Sequence, residues 1–194
     1  MLAKLEMKLD QKEGMTSQMS SSMHGALMEL LPEEYAQRLH ESRLHPYTQH
    51  LELRNGDWYW VVTALNEEAS EKILEKTLMP LKEVYLKKKE RTLVITDKSY
   101  QELSDRELAF SFYRKEASKY LNLSFVTPTA FKQNGKYVFY PDIRSIYVNL
   151  MNKYDACSEQ DAMRDEDMIE QLTENTEIII TVLSLEWRLW MTPR

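Results

Sequence analysis

Charged and apolar residues alternate at the start of the chain. Ala3, Leu5, Met7 and Leu9 fall on one side of residues 1–9 at a period of two, which predicts a half-buried β-strand. Residues 11–22 are polar, carry Gly14 and a serine run, and read as a loop leading into a helix. Met23, Ala26, Leu27, Leu30 and Leu31 then recur at helical spacing. Pro32 interrupts that helix. With Glu33 and Glu34 behind it, the same proline suits the first turn of a second helix, where its missing N–H costs nothing and acids favour the dipole. Tyr35, Ala36 and Leu39 form the buried stripe of this second helix.

Residues 48–53 and 57–65 predict two strands joined at Asn55-Gly56, the strongest short-range hairpin signal. Residues 67–84 place Ile73, Leu74, Leu78 and Leu81 on one helical face, with Pro80 positioned to shorten the helix, and residues 91–96 predict a short strand. Residues 1–100 therefore read β-α-β-β-α-β, the ferredoxin-like arrangement. A second unit begins near Phe110. Residues 121–131 and 136–140 predict strands around Asn134-Gly135, and Pro141 opens a helix whose Ile143, Ile146, Tyr147, Leu150, Met151 and Tyr154 keep helical spacing. Residues 159–173 predict an acidic-faced helix, and residues 178–185 an apolar, β-branched strand. The expected fold class is α+β: a ferredoxin-like (RRM-like) unit at 1–108, then a second, incomplete ferredoxin-like unit at 109–194.

A chain of 194 residues suffices for one large domain or two small ones. No apolar run reaches the roughly 18 residues that span a bilayer, and residues 1–9 lack the apolar stretch of a secretory signal. Cys157 is the only cysteine, which excludes an internal disulfide and a multi-cysteine metal cage. A cytoplasmic protein without membrane contact is expected. The net charge of −6 argues at first against a polyanion partner, but its distribution reverses that. From Tyr154 onward the chain carries −7, residues 1–153 carry +1, and residues 82–153 carry +6. A basic middle followed by an acidic tail is compatible with local binding of a polyanion, and equally with an ordinary solvated surface.

Candidate chemistry centres on histidine. Three of the four, His40, His45 and His50, lie in "LHESRLHPYTQH", and His24 stands just upstream. A five-residue spacing turns successive side chains by about 140° on a helix and alternates faces on a strand, so neither geometry converges metal ligands. Acid–base work fits better. His40 closes the second short helix, where the dipole favours an imidazolium, and histidine is the side chain that exchanges a proton near neutral pH. No metal and no cofactor are expected. "KKKERT", with Lys88 and Lys89, reads as phosphate contacts or as a charged strand edge. Lys132 and Lys136 flank the second hairpin tip and suit phosphate contact. "DWYW" could stack bases, but Trp58 and Trp60 share a face, so at least one face of this strand is expected to be core.

"HGALMELLPEEYAQRLHESRLHPYT", followed later by "LSFVTPTAFKQNGKYVFYPDIRSIYVNLMNKYD", resembles the CRISPR-associated endoribonucleases that process precursor CRISPR RNA, members of the RAMP superfamily. The second block is the more specific: the Thr-Pro-Thr strand, the Asn-Gly hairpin, Tyr140-Pro141 and the amphipathic helix come in family order. The resemblance implies two tandem ferredoxin-like folds and metal-independent cleavage of repeat RNA. In that chemistry the ribose 2′-OH attacks the adjacent phosphate, leaving a 2′,3′-cyclic phosphate and a 5′-hydroxyl. A positioned histidine contributes about 10²–10⁴ in rate to such steps, and a lysine or arginine stabilises the phosphorane. Leu39-His40-Glu41 matches the family's catalytic "Leu-His-Glu", with His45 as the second candidate. Met28 stands where some members carry a helper tyrosine, and Tyr47 or Arg43 are the substitutes. Arg43, Lys88, Lys89, Lys132 and Lys136 are the expected RNA contacts. The partners implied are CRISPR repeat RNA and subunits of a CRISPR effector complex. The family's ending carries a glycine-rich loop, whereas this chain's glycines are Gly14, Gly25, Gly56 and Gly135, so a chain lacking that end is expected. Two alternatives stand beside the enzyme: a non-catalytic RNA-binding subunit, and a remnant that forms a homodimer across an open sheet edge.

Overall fold

The computed structural model describes residues 1–11, 14–114, 120, 122–123, 131–133, 135–138, 140–158 and 162–179. Strand β1 (Leu2–Leu9) alternates as its sequence demands, with Ala3, Leu5, Met7 and Leu9 buried under the helices. It lies at the centre of a five-stranded antiparallel sheet of order β2-β3-β1-β5-β4, formed with β2 (Tyr47–Arg54), β3 (Asp57–Ala64), β4 (Glu83–Leu86) and β5 (Arg91–Leu103). Four of these, β2-β3-β1-β5, make the ferredoxin-like sheet, and β4 is an added edge. The β2–β3 hairpin closes at Asn55 (φ 52°) and Gly56 (φ 84°), the left-handed pair that an Asn-Gly turn supplies.

Helices α1 (Ser20–Leu30), α2 (Glu33–Glu41) and α3 (Glu67–Ala69, continuing through Ser70–Leu78) cover one face of the sheet. α1 starts three residues earlier than the apolar spacing predicts, after a tight turn at Ser17–Met19. The core joins Met23 and Leu27 of α1, Tyr35 and Leu39 of α2, and Ile73, Leu74 and Leu78 of α3 to the inner residues of the strands. Each such side chain, fully buried, contributes about 1.5–3 kcal/mol. Trp60 is fully buried and its indole N–H donates to Gln49 Oε1 at 3.1 Å; Trp58 packs beside it, half-buried, so the expected face is core.

The opposite face of the sheet is charged. Arg54 makes a fork with both carboxylate oxygens of Glu6 (2.7 and 3.2 Å) and also binds Glu52 (2.6 Å), while Lys4 reaches Glu6 at 2.9 Å. Arg54 and Lys4 hold the Glu6 carboxyl down to about 2.

The expected helix over 67–84 is corrected. It ends at Leu78, and Glu83–Leu86 is strand β4. Pro80 can neither donate into the helix nor tolerate a helical predecessor. The last turns are wide, with the Met79 N–H donating five residues back to Leu74 O at 2.7 Å. The Lys98 ammonium, arriving from β5, donates to the carbonyls of Leu78, Met79 and Leu81 and so caps the freed end. The strand expected at 91–96 runs on to Leu103, because β5 pairs first with β4 and then, from Ile95, with β1.

The second half contains α4 (Asp105–Arg114), the hairpin β6 (Phe131–Gln133) and β7 (Lys136–Val138), α5 (Ile143–Cys157) and α6 (Glu166–Glu174). Asp142 caps α5 by accepting from the Ser145 N–H at 2.8 Å. The expected helix over 159–173 is also corrected: 162–165 are not helical, and Asp165 caps a helix that starts at Glu166. The Asp155 carboxylate, which accepts from the Met163 and Arg164 N–H groups at 2.6 and 3.1 Å, holds that stretch as a loop. Most of the strand expected at 121–131, residues 159–161, and residues 180–185 lie outside the described residues.

Candidate active site

Four elements bring their polar residues to one place at the end of the sheet where β2 begins. α1 is tied to β2 at its first residue: Ser20 Oγ accepts from the Leu51 N–H at 3.1 Å, and Ser20 O accepts from Gln49 Nε2 at 2.9 Å. One turn later His24 stands beside Tyr47, whose hydroxyl lies 2.9 Å from His24 Nε2 with the two rings stacked at 6.2 Å. The linker from α2 to β2 carries His45. Ser42 Oγ donates to Leu44 O at 2.8 Å, and Pro46 O accepts from the Leu65 N–H at 2.8 Å, clamping the linker to the end of β3. The His45 ring then sits 5.7 Å from Tyr47 and 6.3 Å from His24. From the second half, Cys157 at the end of α5 places its Sγ 3.9 Å from His45 O.

Electrostatics at this cluster follow from burial. The His45 imidazole is pushed below its ordinary range by desolvation, then by the charges of His24, Lys153 and His40. Its Nδ1 is buried without a hydrogen-bond partner, and the Leu39 backbone opposes the shift only as its smallest cause. The shift favours the neutral imidazole of His45. Burial pushes the Tyr47 hydroxyl up to about 12, so it keeps its proton. A neutral imidazole beside a second histidine is an arrangement that can accept one proton and donate another.

His40 lies in the last turn of α2, exposed to solvent and close enough for its charge to act on His45. Arg43 is exposed in the linker between them. His50 is an exposed β2 residue, 3.7 Å from Glu52. Lys88 and Lys89 occupy the exposed turn Lys87–Lys89 between β4 and β5. The strand register sets that turn at the far end of the sheet from Tyr47: Tyr47, Ala64 and Ala3 align at one end, while Leu9, Ile95 and the Leu86–Arg91 pair lie at the other. Lys136 is exposed at the start of β7, and Lys132 pairs in register with Tyr137, its side chain lying outside the described residues. Pattern reading left His24 without a role and gave neither Lys153 nor Cys157 a place at the histidines, because nothing local signals a contact that spans more than a hundred residues. Among the described residues no three histidine, cysteine or acidic side chains converge as a metal site. No helix among them is long and apolar enough to cross a membrane.

The family model described as CRISPR-associated endoribonuclease Cas6 matches residues 123–186. A CRISPR-associated endoribonuclease Cas6 of Streptococcus thermophilus is 34% identical over 155 residues, covering 80% of this chain and 63% of its own length. One of Mycobacterium tuberculosis (strain CDC 1551 / Oshkosh) is 32% identical over 140 residues, covering 69% of this chain and 43% of its own. The chain thus spans less than two thirds of the length of these relatives. A solved Cas6 product complex superposes with a TM-score of 0.68 at 23% identity, over 89% of this chain and 70% of that one. A solved Thermus thermophilus Cas6 gives 0.51 at 22% identity, over 89% and 69%. These structural likenesses carry the fold, a tandem ferredoxin-like architecture. Sequence similarity to the two curated relatives, a family model seated on the β6–β7 hairpin and α5, and a shared fold agree: the chain resembles the Cas6 family of CRISPR-associated endoribonucleases.

Proposed function

We propose that the chain cleaves CRISPR repeat RNA without a metal, maturing crRNA by attack of a ribose 2′-OH on the adjacent phosphate. The 2′-oxygen gives its proton to a base and bonds to phosphorus. The bond from phosphorus to the 5′-oxygen breaks, and that oxygen takes a proton from an acid. His40 and His45 are the catalytic pair. The observation that carries this reading is the partly buried His45 imidazole, pushed below its ordinary range, with the exposed His40 close enough for its charge to act on it.

Arg43 stands next to the pair and is the nearest of the expected RNA contacts in sequence. Lys132 and Lys136 on the β6–β7 hairpin, with Lys88 and Lys89 at the far tip, engage the phosphates of an RNA longer than the cleaved step. Repeat RNA is a transcript, so the reaction belongs to the cytoplasm, and subunits of a CRISPR effector complex take over the product. The division into units 1–108 and 109–194 is part of the same proposal. It is supported by the end of the five-stranded sheet at Leu103 and by a β6–β7 hairpin that pairs outside it.

The test is cleavage of end-labelled repeat RNA in EDTA. A single cut leaving a 2′,3′-cyclic phosphate and a 5′-hydroxyl is expected, undiminished by the chelator and lost in His40→Ala. Loss of cutting on adding EDTA, or full activity in His40→Ala, overturns the reading. Salt-sensitive RNA binding with no cut product identifies a non-catalytic subunit instead.

A further inference from the structure

α5 touches the histidine cluster along one of its faces. Lys153 lies four residues before Cys157, whose sulfur meets the His45 backbone, so the two side chains share that face one turn apart. Lys153 is half-buried at the end of a groove bordered by Phe131, Ser145, Ile146, Asn149 and Leu150. Among the described residues it makes no salt bridge. The other half-buried lysines among the described residues are matched: Lys4 binds Glu6 at 2.9 Å, Lys8 binds Asp57 at 2.8 Å, Lys72 binds Glu68 at 2.7 Å, and Lys98 is held by three carbonyls. A half-buried cation without a counter-charge among the described residues, one helical turn from the cysteine that meets His45, is placed to meet an anion at the histidine cluster.

We propose that Lys153 is the phosphate-facing cation of the cleavage site, its ammonium donating to a non-bridging oxygen of the scissile phosphate while His40 and His45 move the protons. This rests on the endoribonuclease reading and deepens it. Lys153 forms and breaks no covalent bond. It offsets the negative charge that grows on the phosphorane oxygens, an interaction stronger in the transition state than in the bound substrate. The same charge supports the neutral state of His45, whose surroundings are His24 from α1, His40 from α2, Tyr47 from β2, and Lys153 and Cys157 from α5. The active site is then built by both halves of the chain, the histidines by the first and the cation by the second.

The experiment compares the wild-type chain with Lys153→Met and Lys153→Arg in single-turnover cleavage of repeat RNA across the neutral pH range, with RNA affinity measured in parallel. The methionine variant is expected to lose about 100-fold in cleavage rate with a much smaller loss of affinity, and the arginine variant to recover most of it. With the positive neighbour gone, the imidazolium of His45 forms more readily, so the acid limb of the methionine variant's pH–rate profile moves upward. If that variant fails to fold, Lys153→Gln makes the same comparison. Wild-type cutting matched by the methionine variant, or a rate loss no larger than its loss of affinity, overturns the role of Lys153 and leaves the endoribonuclease reading intact. A wild-type chain that cuts no repeat RNA overturns both.

Discussion

Tyr47 and His24, twenty-three residues apart, share a hydrogen bond of 2.9 Å between the phenol oxygen and Nε2, with Tyr47 almost wholly buried. The bond locks α1 to the first residue of β2 and fixes the wall against which His45 packs. Tyr47→Phe keeps the ring and removes the oxygen, leaving the His24 nitrogen without its partner. The variant is expected to be about 1 kcal/mol less stable in urea unfolding. Its cleavage rate is expected to fall because His45 loses an ordered neighbour. An unchanged unfolding midpoint would show that the bond contributes nothing net.

Lys98 is a structural ammonium. It fills the end of α3 by donating to Leu78, Met79 and Leu81 carbonyls, and burial lowers its pKa. Lys98→Met keeps the length of the stem and leaves those carbonyls unpaired, at an expected cost of about 2–3 kcal/mol. Hydrogen exchange at the end of α3 and in β4 is expected to accelerate more than in β1. Uniform acceleration throughout the sheet would contradict a local capping role.

How far these features could be read from the sequence divides along physical lines. Period-two burial in β1, the Asn55-Gly56 turn and the Pro32 break between α1 and α2 are local rules, and all are legible. β4 is not, because Leu78 and Leu81 continue a helical spacing past the point where Pro80 and a wide turn end the helix. β5 past Thr96 is not either: Asp97, Lys98 and Ser99 have no apolar alternation, and pairing with β1 is what extends the strand. The site divides the same way. His40 is marked by its Leu-His-Glu context, whereas the convergence of His24, Tyr47, His45 and Cys157 exists only after four segments have packed.

The Glu6–Arg54 pair gives the fold an acid-sensitive term with a definite sign. The folded-state pKa of Glu6 is about 2, below its ordinary value of 4.5. A depressed carboxylate stabilises the folded state at pH values above its unfolded pKa, and that stabilisation disappears as pH falls toward the folded value. Stability is therefore expected to decline between about pH 4.5 and 2. Glu6→Gln should be less stable than wild type near neutrality and should have a shallower acid slope in that window. Parallel acid-unfolding curves for the two proteins would rule this out.

Two glycines predict changes of opposite sign from the same substitution. Gly56 has φ of +84°, and a Cβ built there meets no atom within 4 Å, so its only obstacle is backbone strain. Gly25 lies exposed inside α1, and a Cβ there also meets nothing within 4 Å, but it lies in right-handed helix. Gly56→Ala is expected to destabilise by about 1 kcal/mol, because an L-residue with a Cβ pays for the left-handed region. Gly25→Ala is expected to stabilise by about 0.5–1 kcal/mol, since alanine loses less backbone entropy on entering a helix. Urea unfolding of the two variants measures both at once. Because neither new methyl group contacts a neighbour, the difference between them isolates backbone conformation from packing. A stabilising Gly56→Ala would mean that the hairpin can close through a right-handed turn, and with it would go the register that aligns Tyr47 with Ala64 at the histidine end of the sheet.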